Sequence, residues 1–335
     1  MKAYKIKKNS NYYLEQTNLE NIVPQNNQVK VKIYSCSLNY RDLMVLAGQY
    51  GTMDVTNITP LSDGTGEVVE VGKNVETLKV GDKVCGLFMK SWIAGDIKQE
   101  DALGARGGAV DGMLSEYVID DENTFIKFPS YLNYEQASTL PCAALTAYNA
   151  IFRLKKIKRG DFILIQGTGG VSTFALQFAS AFGLKTICLT SSKDKENHLK
   201  NLKSDYIINY LDNPDWHKEV YKITNQKGVD LVVEVGGAET LDRSLKSVKV
   251  GGEISCIGVL SGTNASISTI DIIRRSIILR GIFVGSKEIF LEMNNFLDYH
   301  KIEPLISKIF NFDEVKNAYD YLREKKHIGK VVINL

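Results

Sequence analysis

The sequence predicts an α/β protein in which a β-rich region is joined to a doubly wound parallel sheet. Three observations carry this expectation. The first third alternates apolar and polar residues with the period of strands. A glycine cluster near residue 167 separates an apolar run from a helix-forming run. Strand and helix signals then alternate as far as about Gly262.

Taken in order, Gln28-Val29-Lys30-Val31-Lys32-Ile33-Tyr34 reads as a strand with one buried face. Residues 67–71, 83–88 and 113–119 are further short strands, and Gly64, Gly66, Gly72, Gly81 and Gly86 punctuate them as sharp turns require. From about Leu140 the pattern changes. Phe162-Ile163-Leu164-Ile165 is an apolar strand, residues 171–182 form a helix of apolar and small side chains, and Gly183 stands where a C-cap glycine belongs. Residues 186–190, 206–208, 231–235 and 253–259 are later strands, which implies parallel βαβ units. Beyond Gly262 the alternation weakens, and Lys330-Val331-Val332-Ile333-Asn334-Leu335 closes the chain as a strand.

A chain of 335 residues exceeds what one core usually organises, so two domains are expected. With 44% hydrophobic residues there is enough apolar surface for large cores. A net charge of +2 gives no basic stripe, and the Lys-rich patches at 5–8, 155–159 and 193–203 are short and dispersed. They read as solvated surface, so no nucleic-acid partner is expected. No apolar run approaches the ~18 residues of a membrane span. The first residues lack the apolar core of a signal peptide. Cys36, Cys85, Cys142, Cys188 and Cys256 are odd in number and widely separated, which is no disulfide framework, so a reducing cytoplasm is the expected compartment.

Gly167-Thr168-Gly169-Gly170-Val171-Ser172 follows a strand and opens a helix. In that setting Gly167 makes a tight turn, Gly169 lets a pyrophosphate approach the backbone, and the N–H groups at Gly170 and Val171 face the anion. The bland alternative is a βα turn with no ligand. Ser172 replaces the third fingerprint glycine and is small enough to keep helix and strand close. At the end of the second strand, where an NAD site usually carries Asp or Glu, stands Thr190-Ser191-Ser192-Lys193-Asp194-Lys195. Hydroxyls and lysines, Ser191 and Lys195 foremost, suit a 2′-phosphate, so NADP(H) is the expected cofactor. Asp194 lies beyond the strand end.

Asn39-Tyr40-Arg41-Asp42, Gly66-Glu67-Val68-Val69-Glu70-Val71-Gly72, Val80-Gly81-Asp82-Lys83-Val84, the glycine loop and Gly329-Lys330-Val331-Val332 occur in one order along nearly the whole chain. Together they resemble the medium-chain dehydrogenase/reductase superfamily, and within it the quinone-oxidoreductase-like branch. The resemblance implies a GroES-like β-domain (1–128), a Rossmann NADP(H)-binding domain (129–265) and a return segment (266–335) that completes the first. It also implies an active site in the cleft between the domains and a homodimer or homotetramer, commonly built by joining Rossmann sheets edge to edge.

Zinc-dependent members of that superfamily carry a Cys-x-x-Asp ligand segment, a Gly-His-Glu segment and a later Cys or Asp. Here Asn39 stands at the first position, Ser62 of Leu61-Ser62-Asp63 at the histidine position, and only Cys142 remains. One thiolate does not hold zinc, which takes three protein ligands at a catalytic site, so no metal is expected. Residues 92–108 lack the cysteines of a structural-zinc lobe, and His198, His217, His300 and His327 fall outside the matching segments. Cys142 reads as a packing residue.

Without a Lewis acid, the expected reaction is hydride transfer to a quinone or α,β-unsaturated carbonyl, whose conjugation spreads the developing charge. Gly48-Gln49-Tyr50-Gly51 resembles the segment that presents a tyrosine to substrate in zinc-free enoyl reductases, which makes Tyr50 the first candidate for hydrogen-bond donor or general acid. Its alternative is a surface aromatic. Tyr40 is a second candidate. Asn39 matches a position facing the nicotinamide, while Arg41 and Asp42 read as an ion pair holding the loop. By the same resemblance Tyr210, after Asn209, meets the adenosine 2′-phosphate, and Gly258 and Val259 contact the nicotinamide side. Phe283 and Val284 flank its pocket, and Lys330 lies near the cofactor phosphates unless it is plain surface. Residues 50–59 and 91–108 are the expected substrate loops. Two rival readings stand beside this one: an alcohol or aldehyde oxidoreductase, and a dinucleotide-binding protein without turnover.

Overall fold

The computed structural model describes residues 1–335 apart from 21, 52 and 154–156. Lys155 and Lys156 of the basic patch at 155–159 and Thr52 of the loop 50–59 therefore lie outside the described residues. The chain divides into two compact units, Met1–Leu145 with Gly285–Leu335, and Thr146–Val284.

The first unit opens on a hairpin of β1 (Lys2–Lys8) and β2 (Tyr12–Asn18), paired antiparallel from Lys2↔Asn18 to Lys8↔Tyr12. Ala3, Tyr4 and Ile6 are buried, Lys7 is partly exposed and Lys8 exposed, but Lys5 of the basic patch at 5–8 is largely covered and pairs with Asp111 at 2.9 Å. A larger sheet is organised by β3 (Gln28–Leu38), which pairs antiparallel with β4 (Asp63–Val71) and β6 (Tyr117–Asp121). Beyond β4 lie β5 (Lys83–Gly86) and β7 (Phe125–Lys127). Val29, Val31 and Ile33 enter the core as their alternation predicts and Lys32 stays exposed, but Lys30 is buried, its ammonium 5.1 Å from the Tyr117 ring. The strand expected over 113–119 begins only at Tyr117. Ahead of it, Met113 and Leu114 donate their amides to Leu61 and Pro60, a pairing too irregular for a ladder.

The second unit is a parallel sheet in the order β10-β9-β8-β11-β12-β13. Its strands are β8 (Phe162–Gln166), β9 (Lys185–Thr190), β10 (Tyr206–Asn209), β11 (Val229–Glu234), β12 (Val248–Cys256) and β13 (Ile278–Gly281). The order reverses direction between β8 and β11, and such a switch point is where open α/β sheets bind ligands, outside the carboxyl ends of the strands. Leu164, Ile187, Val232 and Ile254 form its core with Trp216 and Val220 of the helix Trp216–Ile223. This unit runs to Val284 because β13 adds to β12. With a charged Arg280 inside four residues, β13 is too short to announce itself in the sequence.

The chain then returns to the first unit. There β14 (Ile306–Asn311) pairs parallel with β15 (Lys330–Asn334), and β15 pairs antiparallel with β3. The closing strand read from the sequence is thus a central strand, its Val331, Val332 and Ile333 fully buried.

Candidate active site

In the second unit, β8 ends at Gln166, Gly167 turns the chain at φ 73°, and the helix Gly170–Phe182 starts behind Gly169. Gly167 needs its positive φ. Gly169 does not: its φ is −74°, and a Cβ there would meet nothing within 4 Å. No feature of the chain itself requires glycine at that position, and a bare backbone facing open space at a helix N-terminus is what a pyrophosphate needs. Ser172 is buried and donates to the Gln166 carbonyl at 2.6 Å, so its hydroxyl ties helix to strand where a third glycine would merely fit.

The ends of β9 and β10 meet. The Tyr210 amide donates to the Thr190 carbonyl at 2.9 Å, which brings Tyr210 beside Ser191, Ser192 and the helix Lys193–Asn201. Lys195 is half-buried on that helix, and burial pushes its ammonium below the usual lysine range. Asp194 is exposed, in the first turn.

At the switch point, Glu234 at the end of β11 is 1% exposed. It accepts from Gln166 Nε2 at 2.6 Å, from the Gly236 and Gly237 amides at 2.9 and 3.0 Å, from Thr240 Oγ1 at 2.5 Å, and from Ser244 Oγ. Gln166 Oε1 in turn accepts from the Gly236 amide at 3.0 Å. This network locks the ends of β8 and β11 together directly under the glycine loop. Gly258 packs on the same strand end, where a Cβ would collide with the Val235 carbonyl, and its amide donates to Glu234 O at 3.2 Å. Val259 beside it is partly exposed. Phe283 is also partly exposed, and Val284 holds φ 57° with its carbonyl bonded by Asn149 Nδ2 at 2.7 Å. A β-branched residue in the left-handed region is strained, and strain of this kind clusters at functional sites.

In the first unit, Lys330 is 3% exposed. Its Nζ donates to the Leu38 carbonyl at 2.6 Å and to Asn39 Oδ1 at 2.5 Å, and lies 3.8 Å from Asp63 Oδ2. Since lysine has only donors, the Asn39 amide must turn its oxygen toward it, and Asn39 Nδ2 is left buried without a hydrogen-bond partner. Asp63 also accepts from Ser37 at 3.3 Å, Ser62 at 2.7 Å and the Cys142 amide at 3.3 Å. Leu61, just before, is buried at φ 67°. Asp42 accepts the Asn39 amide at 2.7 Å, so it caps the helix Tyr40–Leu46. Burial pushes its carboxyl up to about 6, against Arg41, the Asn39 amide and Lys330, which pull it down. Cys142, in the segment Leu140–Ala144, is pushed well up by burial and by Asp63, which leaves a neutral thiol.

Arg41 pairs with Asp42 as their adjacency suggests, though loosely, Nη1 lying 4.0 Å from Asp42 Oδ1. The guanidinium also lies against the Tyr50 and Phe88 rings, 4.6 Å from each, with Nη1 donating to the Arg106 carbonyl at 2.6 Å. Tyr50 is half-buried against Ile6, Val45 and Val55, so it is a packed residue rather than a surface aromatic. Tyr40 faces another way, its ring 5.8 Å from the Lys325 ammonium.

With this geometry in view, comparisons with known proteins agree. The family described as "Alcohol dehydrogenase GroES-like domain" matches residues 25–130, and that described as "Zinc-binding dehydrogenase" matches residues 170–299. A zinc-type alcohol dehydrogenase-like protein of Schizosaccharomyces pombe is 38% identical, with 92% of this chain and 91% of that protein covered. The chain belongs to the medium-chain dehydrogenase/reductases of the alcohol dehydrogenase superfamily. A solved protein of Sinorhizobium meliloti 1021 that goes by the name of alcohol dehydrogenase superposes with a TM-score of 0.95 at 34% identity, covering 100% of this chain and 98% of its own. A solved NAD-dependent alcohol dehydrogenase reaches 0.90 at 28% identity, with both chains fully covered.

As a medium-chain dehydrogenase/reductase the chain is an oxidoreductase with a GroES-like unit and a Rossmann unit. In that frame the sequence reading brings together Asn39 with Lys330 in one unit, and Gly167, Gly169, Gly170 and Val171 at the loop with Ser191, Lys195 and Tyr210 at the neighbouring strand ends in the other. It missed Gln166 and Glu234. A carboxylate inside the apolar run Leu231-Val232-Val233-Glu234-Val235 was the available signal.

Proposed function

We propose that the chain is an NADPH-dependent reductase of conjugated acceptors, quinones or α,β-unsaturated carbonyls, acting without a catalytic metal. The observation that carries this reading is the buried cluster of the first unit. Asn39 and Ser62 occupy two of the family's metal-ligand positions, which leaves Cys142, and the cation facing Asp63 is the Lys330 ammonium. Zinc needs three protein ligands at a catalytic site, so this donor set does not fit it. Among the described residues no other group of three His, Cys, Asp or Glu side chains is placed to hold a metal.

A nicotinamide dinucleotide does fit the second unit: Gly167 to Val171 would hold its pyrophosphate. Ser191, Lys195 and Tyr210 would hold a 2′-phosphate, with no carboxylate ending β9 to repel it. When bound it supplies a hydride. The chain's own residues then have the remaining tasks: Asn39 Nδ2 is a donor for an acceptor oxygen, and Tyr50 supplies the hydroxyl that hands over a proton. The names of the relatives favour a second reading, oxidation of a simple alcohol. NADPH and NADH oxidation against a panel of quinones, enones, aldehydes and alcohols separates the two. The first reading requires NADPH and conjugated acceptors to be preferred; turnover confined to alcohols and simple aldehydes would contradict it.

We further propose a homodimer formed through β13. This strand ends the Rossmann sheet with one edge unpaired, and Ile278 on it and Ile270 and Ile273 beside it are exposed. Light scattering should give twice the chain mass, and Ile278→Arg should shift it toward one.

A further inference from the structure

We propose that Arg41 is the positioning residue for Tyr50: its buried guanidinium holds the Tyr50 ring in place and stabilises the phenolate left when Tyr50 hands its proton to the reduced acceptor. This inference rests on the reading of the chain as a reductase of conjugated carbonyls.

The case is that Arg41 is badly placed for a purely structural arginine. It is 8% exposed, and a buried guanidinium that serves only stability pairs its N–H groups and sits against a carboxylate. Arg106 in the same unit does both. Fully buried, it donates to the Leu87 carbonyl and Thr124, and its Nη2 lies 2.9 Å from Asp120. Arg41 donates Nη1 to the Arg106 carbonyl, while its Nε and Nη2 have no hydrogen-bond partner among the described residues. Asp42, its neighbour in sequence, gives one carboxylate oxygen to the Asn39 amide and brings the other only to 4.0 Å from Arg41. The charge of Arg41 is therefore paired more loosely than that of Arg106, and the Tyr50 and Phe88 rings lie against it at 4.6 Å. Phe88 cannot become charged; Tyr50 can.

The step balances without further reagents. When bound, the nicotinamide cofactor would supply a hydride to the β-carbon of the enone, whose C=C pair would move toward the carbonyl oxygen as an enolate. The Tyr50 O–H bond then breaks, its proton forms the new C–H bond at the α-carbon, and the phenolate beside Arg41 takes a proton from water. Arg41 touches neither substrate nor cofactor in this scheme and acts through Tyr50.

The test is a double-mutant cycle of Arg41→Met and Tyr50→Phe, read by turnover on an enone, by NADPH titration, and by ¹⁹F spectra of protein carrying 3-fluorotyrosine. Each single variant should lower kcat by about 100-fold, the usual worth of a positioned proton donor. The double variant should be within about threefold of either, since one interaction is removed twice. NADPH affinity should stay within about twofold, Arg41→Lys should recover part of the loss, and Arg41→Met should move the resonance that Tyr50→Phe deletes. Multiplying losses, or an unmoved Tyr50 resonance, would overturn the proposal while leaving the reductase reading in place. Should Arg41→Met fail to fold, Arg41→Lys and Phe88→Leu carry the same cycle, each expected to lower kcat only while Tyr50 is present. A wild-type protein that binds NADPH but reduces no enone or quinone would overturn the reductase reading and this inference with it.

Discussion

Each unit holds a buried carboxylate network at a strand terminus, Glu234 closing β11 and Asp63 opening β4, and the two are finished to different degrees. Glu234 in the Rossmann unit takes donors from two side-chain hydroxyls, one amide side chain and two backbone N–H groups. In the GroES-like unit, Asp63 and Lys330 are bonded, but Asn39 Nδ2, Asp42 Oδ1 and two nitrogens of Arg41 are buried without a hydrogen-bond partner. An unmade buried hydrogen bond costs about 1–3 kcal/mol. The contrast is one of completeness: the first network fixes strand ends beneath the glycine loop, and the second leaves donors unused, which the proposed function would direct at an acceptor oxygen.

The largest expected effect tests the first network. Glu234→Ala strands Gln166, Thr240, Ser244 and two backbone amides, and should cost about 3–5 kcal/mol in urea unfolding, as breaking a buried charged network does. Asn39→Ala, in the unfinished cluster, should cost far less stability. Equal losses would erase the distinction.

Asp42 sharpens it through pH. Its folded carboxyl titrates at about 6, above its unfolded value, so its favourable contribution is full below the unfolded pKa near 3.9 and is lost as pH rises through 6. Asp42→Asn should therefore stabilise the protein at pH 8 relative to pH 4, by at most about 3 kcal/mol from the linkage. A wild-type-like pH profile of the variant's melting temperature would show that Asp42 is not the strained member.

Next in size, Tyr50→Phe should lower enone turnover about 100-fold with NADPH affinity unchanged. Unchanged turnover would remove Tyr50 from the chemistry and leave Asn39 as the donor. The smallest effect concerns the cofactor. Ser191→Asp, at the end of β9, should cut the preference for NADPH over NADH about tenfold, or about 1.4 kcal/mol. Equal titration affinities in the wild type would show that the strand end does not read the 2′-phosphate.

What was legible in the sequence follows the same division. The glycine loop, β8 and β9 are continuous in the chain, so local pattern gives both their structure and their chemistry. The cluster around Lys330 is not continuous: it joins residues 39, 63, 142 and 330 through the pairing of β15 with β3 and of β3 with β4. Nothing in a closing Gly329-Lys330-Val331-Val332 tells a surface lysine from one that is 3% exposed. The hairpin β1–β2 was hidden by its lysines, which read as charge before they read as alternation. Arg41 and Asp42 pair as their adjacency suggests, but only at 4.0 Å, because a helix turns neighbouring side chains apart and Asp42 also serves as its cap.

The proposed metal-free chemistry rests on a buried lysine facing Asp63 in a chain whose relatives carry zinc in their names. Dialysis against a strong chelator, followed by metal analysis and NADPH-dependent enone turnover on the same sample, tests this directly. We predict full turnover with zinc well below one per chain. Turnover that disappears on chelation and returns with stoichiometric zinc would contradict it.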